Sequence, residues 1–362
     1  MSVPTGSPTE PRPGASRAMM VLATLAVLYT LYFAREFLLP ITFALLLTFL
    51  LSPAVRGLAR RRVPLPVASA LVLVGLFGAA GLGVYELSGP LQSWATNAPE
   101  TIAKAQTRLR RVLVPIRRVT STAEQVESAA GGAAGADAPP VVVVKGPTIV
   151  SRLFGSTQRF LGAALEVTIL VFFLLAAGDL FLQKLIKVLP NLRDRRKAIE
   201  IARETEASVS TYLLTTAAVN LVEGTIVAVA VYLLGLPNAP LWGALVALLE
   251  FVPYLGAVGA VVVLSVAALA TFDDVGRALL IPGSYLVINL VQANFVGPLL
   301  LGQRLELNPV AILVSLAFWF WIWGIAGAFI AVPLLATFKI CCDHIERLAA
   351  VGEFLGRRDA PT

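Results

Sequence analysis

The chain of 362 residues is 57% hydrophobic and only 14% charged, against about 25% charged in an ordinary soluble domain. That composition excludes a soluble enzyme, because so much apolar surface cannot face water without large exposed patches. The net charge of +7 comes from 29 Lys and Arg against 22 Asp and Glu; the basic residues gather in loops beside apolar runs, where membrane orientation and anionic headgroups account for them and nucleic acid is not needed.

Residues 1–17 are rich in Pro, Ser and Thr, have no apolar period, and are expected to be a disordered tail. Residues 18–85 hold three transmembrane helices, over 18–34, 37–55 and 65–85. The first lacks a small-residue cleavage site and runs through Arg35-Glu36 into more apolar sequence, which marks an uncleaved span rather than a signal peptide. Arg56, Arg60, Arg61 and Arg62 form a short basic loop that the charge rule keeps in the cytoplasm, with the N-terminus, leaving Tyr85 outside. Gly75, Ala79 and Gly83 recur every four residues on the third span, a spacing that lets helix backbones pack closely.

Residues 86–157 are then an extracytoplasmic amphipathic segment with a connector. Ile102, Leu109, Val112, Ile116 and Val119 follow a seam of threes and fours beside a basic stripe of Lys104, Arg111 and Arg118. The seam reads as an oligomerising helix or as one lying on headgroups, the second favoured because Ala positions weaken a coiled coil, and it is kinked or split at Pro115; residues 128–147, rich in Gly, Ala and Pro, read as a flexible connector. Residues 158–210 carry a fourth transmembrane helix and cytoplasmic amphipathic helices with Lys184, Lys187, Arg195, Arg196 and Lys197.

The rest repeats itself. Asn220-Leu-Val-Glu-Gly224 is echoed by Asn289-Leu-Val-Gln-Ala293, Leu233-Leu-Gly235 by Leu300-Leu-Gly302, Asn238-Ala-Pro240 by Asn308-Pro309, and Gly256-Ala-Val-Gly259 by Gly324-Ile-Ala-Gly327, always 67–70 residues apart. Four matches in one order indicate an internal duplication, with transport repeats over 211–271 and 272–340 and a cytoplasmic tail over 341–362. Each repeat pairs an intact span with an apolar run of 32 residues, 240–271 and 309–340. Such a run is about 48 Å long as straight helix, against a hydrocarbon core of about 30 Å. Both are interrupted near the middle, at Pro253-Tyr254-Leu255-Gly256 and at Trp323-Gly324. Each run is either one broken span, giving parallel repeats, or a re-entrant hairpin, giving inverted ones; Arg304 inside and Asp273-Asp274 outside favour the inverted form. The fold class is therefore an all-α polytopic membrane protein of about eight membrane segments, two of them broken or re-entrant within a C-terminal repeat.

Paired interruptions point to a transport site, because freed backbone groups at membrane depth persist only where protein or a wet cavity satisfies them. Beside them stand the few polar groups within spans: Glu250, three residues before Pro253, with Glu223, Asn220, Asn289, Gln292 and Asn294. Intramembrane carboxylates are costly, and with neighbouring amides they suit a small polar solute, a cation or a proton. With Pro253, Gly256 and Gly324 they make up the candidate solute or ion pathway. Glu166 lies near a span end and reads as interfacial, and the aromatic run Phe318, Trp319, Phe320, Trp321 and Trp323 points all round a helix, so most of it faces lipid or other helices. No P-loop, Gly-x-Ser-x-Gly or His-Glu-x-x-His motif occurs, and the adjacent Cys341 and Cys342 with the single His344 supply no metal cage. No enzyme, cofactor or metal is expected.

The stretch Pro240-Leu-Trp-Gly-Ala-Leu-Val-Ala-Leu-Leu-Glu-Phe-Val-Pro-Tyr-Leu-Gly256 resembles the signature of the autoinducer-2 exporter family of bacterial permeases. So do Gln292-Ala-Asn-Phe-Val-Gly-Pro298, Leu307-Asn-Pro309 and Trp323-Gly-Ile-Ala-Gly-Ala-Phe-Ile-Ala-Val-Pro333, and the resemblance covers roughly residues 18–345. It implies a multi-pass protein of the bacterial inner membrane, assembled as a homo-oligomer, a pentamer, with a transport path in each protomer. It also implies export of a small polar solute such as autoinducer-2, or sodium(lithium)/proton antiport. Many relatives carry Glu where this chain has Gln292, which weakens any cation coupling at that position. The alternative of another class is a membrane scaffold that recruits partners through residues 86–150.

Overall fold

The computed structural model describes residues 13–128, 149–178, 180, 183, 184, 187, 192–296 and 307–356. The connector beyond Ser128, the chain before residue 13, Gly302 and Arg304 lie outside them. The described residues form helices, with one isolated β-bridge between Leu307 and Gly356. In chain order the helices are α1 (Pro13–Phe33), α2 (Arg35–Ala59), α3 (Leu65–Ser128), α4 (Ile149–Ala177), α5 (Leu192–Leu233), α6 (Ala239–Leu249), α7 (Leu255–Thr271), α8 (Val275–Val291), α9 (Pro309–His344) and α10 (Ala349–Leu355). A π-turn, Gln292–Val296, extends α8. Among the described residues five stretches are long and apolar enough to cross a membrane, Arg35–Ala59, Leu65–Trp94, Arg195–Leu233, Val275–Phe295 and Pro309–His344, with four shorter apolar helices beside them. The chain is an all-α membrane protein.

Several sequence expectations change. Helix α1 starts at Pro13, inside the stretch expected to be disordered; proline is well suited to a first turn, where its missing N–H is not needed. Helix α3 runs unbroken for 64 residues, through Pro115. Each interior proline costs one ladder bond, and the Ala, Leu, Arg and Gln around it are strong helix formers that keep the helix going. Helix α5 likewise joins the end of the amphipathic stretch to the fifth span in one rod of 42 residues.

The far end of α3 does more than lie on a surface. Trp94 meets Trp242 edge-on at 5.7 Å, and Arg108 donates to the carbonyls of Leu269, at 2.6 Å, and Phe272, and pairs with Asp273. A guanidinium here satisfies terminal carbonyls of α7 at the negative end of its dipole. Arg108 lies outside the basic stripe of the sequence reading; the side chains beyond it are outside the description. The Gly75 and Gly83 positions of the small-residue stripe have nothing within 4 Å of a built Cβ, so neither packs against another helix among the described residues. The close crossing is between α5 and α6, where a Cβ on Gly224 would stand 2.5 Å from the Gly243 carbonyl oxygen and one on Gly243 2.3 Å from that of Gly224.

Both long apolar runs fold back. In the first, α6 ends at Leu249, a turn follows through Pro253 with Tyr254 at φ 63°, and α7 returns, so Ala260 and Leu264 share a core with Trp242 and Val246. In the second, Gly324 at φ 64° and ψ −146° divides α9 into two arms. The Ser315 hydroxyl reaches the Ala331 carbonyl at 3.1 Å, where a straight helix would separate these residues by about 24 Å. These units are called hairpins 1 and 2. They open at opposite ends of α5: Arg277, just past the end of hairpin 1, bonds the Leu234 carbonyl at 3.3 Å, while His344, closing hairpin 2, meets Glu204 at 3.3 Å. Those two positions on α5 are about 45 Å apart along the rod.

Candidate functional site

Glu250 caps the C-terminal end of α6, so its side chain projects from the tip of hairpin 1. The opposing face is helical: Tyr285 and Asn289, four residues apart on α8, and Asn220 and Glu223, three apart on α5, each fall on one side of their helix. The glycine crossing at Gly224 and Gly243 brings α5 and α6 backbone to backbone beside Glu223.

Three elements converge there. The Asn289 amide donates to Glu223 Oε1 and to Glu250 Oε1, both at 3.1 Å, so one side chain bridges two carboxylates from different helices. The fully buried Tyr285 also donates its hydroxyl to Glu250 Oε1. Asn220, with its amide assigned from the bonding network, accepts from the Phe251 N–H and donates to the Thr216 carbonyl, both at 3.2 Å. Glu223 is only 2% exposed, and its Oε2 has no partner among the described residues. No Lys or Arg bonds either carboxylate among those residues, so the pair carries more acceptor capacity than donors.

Of the positions singled out from sequence, Glu250, Glu223, Asn220 and Asn289 come together, with Pro253 in the adjoining turn. Gly256 serves the site indirectly: a Cβ on it would lie 2.0 Å from the Leu249 carbonyl oxygen, so glycine lets the returning arm pass close to the tip. In hairpin 2 the equally close approach falls on Gly327, whose Cβ would lie 2.0 Å from the Trp319 carbonyl oxygen, and not on Gly324, the residue aligned with Gly256. Gly324 instead supplies a backbone conformation that glycine almost alone adopts, beside Trp323, whose indole donates to the Leu31 carbonyl of α1 at 2.9 Å.

Gln292 and Asn294 do not join the carboxylates among the described residues. The π-turn changes the phase of α8 at Gln292, and the exposed Asn294 bonds back to the Leu290 carbonyl at 2.8 Å. Glu166 is exposed on α4. In the aromatic run, Trp323 is buried while Phe320 and Trp321 face outward, matching the expectation for that helix.

The sequence reading missed Tyr285. Its signal is the four-residue spacing to Asn289, which puts a hydroxyl on the same face as the amide.

Known proteins resemble this chain along most of its length. The model of the AI-2E family transporters matches residues 21–347. The AI-2 transport protein TqsA of Escherichia coli K12 is 25% identical over 91% of this chain and 92% of its own length. A putative transport protein of Mycobacterium tuberculosis, MT0215, is 28% identical over 90% of this chain and 88% of its own. The putative transport protein YhhT of Escherichia coli K12 is 25% identical over 93% of each.

Proposed function

The chain belongs to the AI-2E family of membrane transporters, and we propose that it exports a small polar solute, autoinducer-2 or a compound like it, across the bacterial inner membrane. The observation that carries this reading is the bridged pair Glu223–Asn289–Glu250, gathered at a hairpin tip within apolar helices. Polar groups that cost so much to keep at membrane depth are retained for a cargo or a coupling ion. The name of TqsA, a relative along nine-tenths of the chain, supports autoinducer-2 as the first solute to test.

In this reading the two hairpins enter the bilayer from opposite faces as an inverted repeat, and alternating access proceeds about the carboxylate pair. The basic residues Arg56, Arg60, Arg61 and Arg62, at the end of the molecule where Glu206 pairs with Arg56, support a cytoplasmic setting for that end and for both termini in this reading. The active form is a homo-oligomer, a pentamer, with a path in each protomer. Purified protein in vesicles should release loaded autoinducer-2 at least tenfold faster than empty vesicles, and Glu250→Gln should remove most of that flux. Flux equal to that of empty vesicles overturns the assignment of this solute.

A second reading, sodium(lithium)/proton antiport, is favoured by Glu223 Oε2, unpartnered among the described residues. Two carboxylates that share one amide, with no Lys or Arg bonded to them among those residues, need a proton or a cation to balance them. Here sodium should dissipate an imposed pH gradient in the same vesicles, and Glu223→Gln and Glu250→Gln should each abolish the effect. Dissipation that persists in both variants excludes it.

A further inference from the structure

The tip of hairpin 1 faces two ways. Glu250 turns to α8, while the next residue, Phe251, turns to hairpin 2: its ring stacks on Phe329 of the returning arm of α9, with centroids 5.1 Å apart and planes at 21°. Val252 follows and packs on Leu316, Ala328 and Ala331 of the same hairpin. Phe329 is held from behind by Phe43 of α2 at 6.2 Å. The stack is therefore anchored on the hairpin 2 side, whereas on the other side it hangs from a turn with Tyr254 in a left-handed conformation. Such strain in a non-glycine residue persists only where the surroundings impose it, and it is common in segments that switch.

We infer that the Phe251–Phe329 stack is the gate between the carboxylate pair and the hairpin 2 side of the molecule, and that it opens as hairpin 1 leaves hairpin 2. The inference rests on the transport reading above. Phe251 directly follows Glu250 in the chain, so the stack adjoins the carboxylates where the tip of hairpin 1 meets hairpin 2. Chain connectivity also couples gate to site: the Phe251 N–H bonds Asn220, and Glu250 bonds Tyr285 and Asn289. A cargo or cation that competes for those acceptors loosens the backbone carrying the ring. The contact is two flat apolar faces with no hydrogen bond across it, the kind of seal that parts and reforms without leaving orphaned polar groups.

The test is a Phe251→Cys/Phe329→Cys pair in a chain with Cys341 and Cys342 replaced by serine, reconstituted in vesicles with autoinducer-2 and sodium as separate probes. Without cross-linking the pair, which also lacks the stack, should move either probe that the parent moves at least as fast as the parent does. Joining the two thiols with a short bismaleimide should cut that flux at least tenfold, while the linker on either single cysteine should not. Should the cysteine pair fail to fold, Phe251→Leu and Phe329→Leu keep the apolar volume without the stack and should raise the downhill leak severalfold; an unchanged leak overturns the gate. Full flux in cross-linked protein overturns the gate but leaves the transport reading standing. Absence of flux of both probes in the uncross-linked parent overturns that reading and the gate with it.

Discussion

Asn289 is the residue on which the site turns, because its amide is shared by carboxylates from two other elements. Asn289→Ala orphans Glu223 Oε1, at about 1–3 kcal/mol, while Glu250 Oε1 keeps the Tyr285 hydroxyl. The variant should melt several degrees below the parent in detergent and lose transport, whereas Asn294→Ala, whose bond is local to its own helix, should change neither. Thermal unfolding of the two variants side by side checks this. Glu223, Glu250, Asn220 and Asn289 could be read from sequence because ionisable and amide groups are scarce in apolar runs and each stands out. The separation of Asn289 from Gln292 and Asn294 could not: it depends on helical phase, and α8 passes into a π-turn at Gln292. Tyr285 was hidden for the opposite reason, since an aromatic residue in an apolar span looks like packing until its hydroxyl is seen to meet Glu250.

Among elements, the breaks were legible and their geometry was not. A run of 32 apolar residues exceeds one straight crossing, and Pro253 and Gly324 mark where it yields. Whether the chain then continues or reverses depends on contacts between residues such as Ser315 and Ala331, which no local pattern encodes. The small-residue pattern misled for a related reason: spacing shows which residues share a face, not what that face meets. A paired substitution separates the two cases. Gly224→Ala drives a Cβ to 2.5 Å from the Gly243 carbonyl oxygen and 2.8 Å from the Ala247 Cβ, and should cost about 1–3 kcal/mol through forced separation of α5 and α6. Gly75→Ala, with open space around it, should leave the melting temperature of the protomer unchanged or slightly raised, because alanine is the better helix former.

At the scale of the whole molecule, α5 carries the Glu204–His344 contact with hairpin 2 toward one end, the carboxylate site further along and the tie to hairpin 1 at the other end. The hairpins are thus fastened to one rod at opposite ends and meet near its centre. The proposed pentamer is checked by native mass spectrometry in mild detergent, where five copies of the 38.4 kDa chain are expected; a monomer that transports at full rate would remove the oligomer from the mechanism. The shared amide also bears on how the protein is made. Glu223 and Glu250 leave the ribosome 66 and 39 residues ahead of Asn289, so during translation both carboxylates exist before their common donor does. Hydrocarbon is a poor place for them to wait, and the pair gains its shared donor only once α8 has been made. The order of synthesis thus leaves the site half-built until the helix that completes it arrives.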